Sequence, residues 1–172
     1  FPLPDPMNNQ SLVSSAWKND LVLVPLTKQE EKKGREILLA NKINMPMVCV
    51  FARDSEYLNN VYPERDWSYH DYRNSDIREC IPACKALVDK GFTVLRVGSL
   101  VKQALDTGNP KIFDYSSSEM KSDFMDIYLS AKCSFFIGAD SGITQPVEIF
   151  LRPVVYHNWV LINRISRWVK NG

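Results

Sequence analysis

The sequence predicts an α/β fold, a Rossmann-like parallel sheet of about five strands flanked by helices. Three observations carry this. Short apolar, β-favouring runs alternate with segments of helical spacing. The run Met47-Val48-Cys49-Val50-Phe51-Ala52 is apolar throughout, as a strand buried on both faces reads. Cys133–Asn158 then reads as strand, tight polar turn, short helix and strand, a βαβ unit.

The chain has 172 residues, enough for one domain with a core of its own. Its formal net charge is +1, so no bulk charge favours nucleic acid or an anionic membrane. No apolar run approaches the length of a membrane span. The start, Phe1-Pro2-Leu3-Pro4-Asp5-Pro6, has neither the basic segment nor the apolar core of a signal peptide. Because it begins with Phe rather than Met, the chain is expected to be one piece of a longer protein. The four cysteines, Cys49, Cys80, Cys84 and Cys133, form no zinc-ligand pattern. They suit reduced thiols and a cytoplasmic setting.

In chain order, residues 1–26 are rich in Pro, Asn and Ser and read as an arm or linker. Leu21–Val24 reads as a short strand that Pro25 would keep at an edge. Residues 27–172 read as the domain. Thr27 with Glu30 makes a capping box for a helix over Lys28–Ala40. The strand at 47–52 ends in Arg53-Asp54-Ser55. Residues 57–72 are dense in aromatics and charges, Tyr57, Tyr62, Trp67, Tyr69 and Tyr72 among them. A long loop of this kind is either functional or pinned to the surface by its rings.

Ser75 is a candidate cap for a helix running to Lys90. Pro82 requires that helix to kink or to begin late, and Gly91 stops it. Strands follow at 92–97, 111–114, 133–138 and 153–157, with a short helix expected over Leu100–Leu105. Ser122 caps a helix over Asp123–Lys132, with Phe124, Ile127, Tyr128 and Ala131 facing inward. Trp159–Gly172 reads as a terminal helix.

In a parallel sheet, polar groups following the strands converge on one edge, where ligands bind. Here these are Arg53 and Asp54, Arg96 and Gly98, Asp114 and Tyr115, Asp140-Ser141-Gly142, and His157 and Asn158; of them Arg53, Arg96, Gly98, Asp114, Tyr115, Asp140, Ser141 and Gly142 are the candidate binding residues. Two guanidinium forks beside a helix N-terminus suit a diphosphate, with Tyr115 stacking on a base or ribose. Each residue taken alone equally suits a strand-end ion pair or, at Asp140 and Ser141, a helix cap. No Gly-x-Gly-x-x-Gly follows a strand, and there is no P-loop. Gly138-Ala139-Asp140-Ser141-Gly142 is not a nucleophile elbow, because Ser141 directly precedes the second Gly. No Asp-x-Asp offers a metal ligand pair, so no metal is expected.

The segment Ser122–Tyr156 resembles the donor-binding half of GT-B glycosyltransferases. Asp140-Ser141-Gly142 and the Pro-led strand Pro153-Val154-Val155 resemble bacterial heptosyltransferases, with Gln145 where those usually carry His. Val48–Asp54, ending in Arg53, resembles the phosphate-binding strand of fucosyltransferase-like GT-B enzymes, with Phe51 where those usually carry His. The runs ARDSEYL, DYRNSDI and SDFMDIYL are most similar to a family of bacterial surface-polysaccharide glycosyltransferases. The resemblance covers most of residues 27–160. It implies a nucleoside diphosphate sugar as donor and no metal or other cofactor. It also implies a saccharide acceptor held by an N-terminal domain absent from this chain, so the chain alone is expected not to transfer sugar. The alternative is a non-catalytic nucleotide- or protein-binding module with residues 57–72 as its contact surface.

Overall fold

A computed structural model describes residues 24–158. Strand β1, Met47–Phe51, is buried at every residue, as its unbroken apolar composition requires. Its side chains alternate between two cores. Met47, Cys49 and Phe51 face one, with Leu95, Met125, Leu129 and Val147. Val48 and Val50 face the other, with Cys84, Val94 and Ile112. The remaining strands are β2, Thr93–Arg96, β3, Ile112–Asp114, β4, Phe136–Gly138, and β5, Val154–Tyr156. The five strands form one sheet in the order β3-β2-β1-β4-β5. Every pairing is parallel. The chain builds outward from β1 to β3, then returns to add β4 on the other side of β1. The direction of winding therefore changes between β1 and β4, and a crevice opens beyond their carboxyl ends.

Helix α1, Lys28–Ala40, carries the expected capping box between Thr27 and Glu30. It packs on α4, Asp123–Lys132, whose N-cap is Ser122, accepting from the Met125 amide. Gly34 permits this approach: a Cβ there would lie 2.3 Å from the Tyr128 ring. Lys33 sits over the Phe124 ring at 4.5 Å, and Lys132 pairs with Glu31. The inner face of α4 differs from expectation. Met125, Tyr128, Leu129 and Ala131 are buried, whereas Ile127 is exposed. Apolar residues surround this helix, and the side that meets the sheet decides which are covered.

Three further segments depart from the sequence reading. Residues 57–72 are not a bare loop. They hold α2, Glu56–Val61, and begin a 3₁₀ helix, Ser68–Arg73. The helix expected from Ser75 is divided into a 3₁₀ turn, Ile77–Cys80, and α3, Ile81–Asp89. Pro82 falls in the first turn of α3, where its missing N–H costs nothing. The cap of the 3₁₀ turn is Asp76 rather than Ser75, accepting from the Arg78 amide. Leu100–Leu105 is irregular. The amides of Lys102 and Leu105 donate to the carboxylates of Asp54 and Asp114, at 2.9 Å and 2.7 Å. Of the strand expected at Leu21–Val24 only Val24 is described, an exposed residue in a bend; the terminal helix expected over Trp159–Gly172 and the rest of the N-terminal arm before Val24 lie outside the described residues.

Candidate functional site

The crevice between β1 and β4 is a cleft of about 620 Å³, ample for a ligand of nucleotide size. One side comes from the turn after β4, Asp140-Ser141-Gly142. The other comes from Arg53 and Asp54 after β1 and from the segment that follows them.

Arg53 is buried, leaving 6% of its surface exposed. Its Nη1 donates to the His70 carbonyl at 3.3 Å and also bonds Asn74 Oδ1. It therefore fastens the end of β1 to the 3₁₀ helix Ser68–Arg73. Neither Asp54 nor Asp76 pairs with it, as an ion-pair role would have needed. Burial first, and the nearby Arg73 charge second, lower its pKa from the ordinary guanidinium value, while Asp71 and Asp54 oppose them. An arginine remains a cation under such a shift.

Arg73 shares the cleft. Its Nη1 lies 3.8 Å from Asp140 Oδ2, and its Nη2 contacts His70 Nδ1 at 3.1 Å. A guanidinium only donates, so the contacted ring nitrogen is the unprotonated one. Arg73 Nε is buried without a hydrogen-bond partner among the described residues. The Arg73 carbonyl accepts from Asn158 Nδ2 at 3.0 Å, and His157 Nε2 donates to the Phe51 carbonyl at 2.9 Å. The residues after β5 thus staple the segment against β1. Two guanidinium groups converge here with three carboxylates, Asp54, Asp126 and Asp140, and the guanidinium forks are the groups suited to an anion with several acceptor oxygens.

The Asp140–Gly142 turn leads into α5, Thr144–Ile149. Neither Asp140 nor Ser141 caps that helix with its side chain; the residue at the cap is Ile143. The Thr144 and Gln145 amides donate back to the carbonyls of Ser141 and Gly142. With six residues, α5 supplies little dipole, so positive charge in the cleft comes from the arginines.

Of the eight residues singled out from sequence, Arg53, Asp140, Ser141 and Gly142 line this cleft. Arg96, Gly98, Asp114 and Tyr115 do not. Arg96 and Asp114 are register partners at the ends of β2 and β3, and they form a buried ion pair at 3.0 Å and 3.2 Å. Arg96 Nη2 also donates to the Gln103 carbonyl at 3.2 Å. This pair pins the irregular segment between the strands and faces away from the cleft. Gly98 is buried, and a Cβ there would meet Val101 at 2.8 Å, so the position has no room for a side chain.

Tyr115 was expected to stack on a base. Its ring is fully buried, and its hydroxyl bonds Asp126 Oδ1 at 2.6 Å and the Ser122 carbonyl at 3.1 Å. Burial, then the bond to Asp126, push its phenol pKa well up. No face of that ring is open to a ligand.

The cleft also takes in Tyr57, Trp67 and His70 from the aromatic segment and Arg73 directly after it, none of which the sequence marks as a site residue. The available signal was position: this segment directly follows the most buried strand. Among the described residues, no group of three His, Cys, Asp or Glu side chains could hold a metal ion. The cysteines are free; Cys49, Cys84 and Cys133 are buried and Cys80 partly so. Burial pushes the Cys84 thiol up to about 11, which makes it a packing residue. Among the described residues, no helix is long and apolar enough to cross a membrane. No protein-family model matches the chain, and neither a curated protein nor a solved structure matches it.

Proposed function

We propose that this domain binds a nucleoside diphosphate sugar and serves as the donor-binding half of a GT-B glycosyltransferase. One observation carries the reading: Arg53 and Arg73 both line the crevice where the winding of the sheet reverses, together with the Asp140-Ser141-Gly142 turn. A diphosphate presents oxygens in pairs, and a guanidinium fork takes them in pairs. Asp140, beside Arg73, is the acceptor suited to a sugar or ribose hydroxyl. In the GT-B reading the acceptor is held by a separate domain, so the described domain by itself would bind donor without transferring sugar. A protein-binding role for residues 57–72 is favoured by Tyr62, Tyr69 and Tyr72, all of which are exposed.

Calorimetric titration with UDP-, GDP-, ADP- and CMP-sugars separates these readings. At least one sugar nucleotide should bind with a millimolar or tighter Kd. Absence of binding by all four classes at millimolar concentration would leave the donor-site reading without support.

A further inference from the structure

The cleft combines charged groups, Arg53, Arg73 and the carboxylates of Asp54, Asp126 and Asp140, with an aromatic wall from Tyr57 and Trp67. Resting on the donor-site reading above, we propose that this wall receives the base of the nucleotide, and that Trp67 and Tyr57 determine how strongly the base contributes to binding.

Three observations point to this. First, the wall is held in place before any ligand arrives. Trp67 Nε1 donates to the Tyr62 carbonyl at 3.0 Å, so the polar edge of the indole is already satisfied. The Trp67 ring is 6.0 Å from Tyr62 and 6.1 Å from His70, and nearly parallel to the latter at 12°. Second, His70 connects the charged groups to the wall. Its carbonyl takes Arg53 Nη1, and its ring neighbours the Trp67 indole. The residue that fastens Arg53 is thus the one that packs beside the wall. Third, the wall is open: Tyr57 is 43% exposed although it lines the cleft. The Tyr115 ring, by contrast, is fully covered. Stacking of a base on such a ring is sequence-tolerant, since every base has a π-face.

The test compares uridine, cytidine, adenosine and guanosine diphosphates with inorganic pyrophosphate on the full chain. At least one nucleotide should bind tenfold or more tightly than pyrophosphate. Trp67→Leu should shrink that gap about tenfold, the scale of one lost base stack, and leave pyrophosphate affinity within about twofold. Trp67→Phe, which keeps a ring, should retain most of the gap. Tyr57→Leu, which breaks no hydrogen bond of the wall, should also narrow it and decides the matter if Trp67→Leu does not fold. The proposal is overturned if wild-type protein binds nucleotides no tighter than pyrophosphate, or if neither leucine variant narrows the gap. It is equally overturned if Trp67→Leu weakens glucose 1-phosphate as much as the nucleotides, since the wall would then hold a sugar. Pyrophosphate binding that persists in these cases leaves the donor-site reading standing. If neither pyrophosphate nor any nucleotide binds, both fall together.

Discussion

Arg53 and Arg96 both end strands of the sheet, and in sequence they look alike. Their surroundings make them different. Arg96 meets Asp114 at the matching register position of β3, and both side chains are buried together. Removing one partner of a buried pair leaves the other charge uncompensated and costs about 3–5 kcal/mol. Asp114→Asn should therefore lower the unfolding free energy on that scale in a denaturant titration. Nucleotide affinity of the folded fraction should stay unchanged, because the pair faces away from the cleft. A loss of affinity without a loss of stability would move Arg96 and Asp114 back into the site. The capping boxes and strand ends were legible because they depend on residues three or four apart, as at Thr27 and Glu30. The Arg96–Asp114 pair was not, because it depends on register between strands 18 residues apart in sequence. Tyr115 misled for the same reason: its partners, Asp126 and Ser122, lie on a helix that only the fold brings alongside.

Among the elements, α1 and α4 illustrate how much packing adds to local preference. Both helices were read correctly from their caps and spacing. The face α4 buries was read wrongly at Ile127, since a helix apolar on several sides takes its orientation from what it meets. Gly34 marks the α1–α4 contact. Alanine is the better helix former by about 1 kcal/mol. Yet its Cβ would sit 2.3 Å from the buried Tyr128 ring, and overpacking costs about 1–3 kcal/mol. Gly34→Ala should thus lower the melting temperature despite its helix propensity. A rise would mean that the Tyr128 ring yields freely. The segment between β1 and α3 was the least legible element. Its helices are short, and it is held by distant groups: Arg53, Asn158 and the bond from the Ser75 amide to the Arg53 carbonyl.

At the scale of the whole molecule, the doubly wound sheet is what makes a site from scattered residues. Parallel strands end on one edge, and the reversal between β1 and β4 opens that edge into a cleft. Sequence alone located the edge but could not choose among the residues along it. On the proposed donor-site reading, Arg53 holds phosphate in this cleft. The direct measurement is the affinity of Arg53→Lys for the nucleoside diphosphate sugar that wild-type protein binds best, taken where the variant is folded. Lysine keeps the charge but loses the fork. The account predicts a loss of about 1.5–3 kcal/mol in binding, together with a lower melting temperature from the lost bonds to His70 and Asn74. Unchanged affinity in a variant whose melting temperature has fallen would show Arg53 to be only a fastener between β1 and the 3₁₀ helix, and would contradict the account.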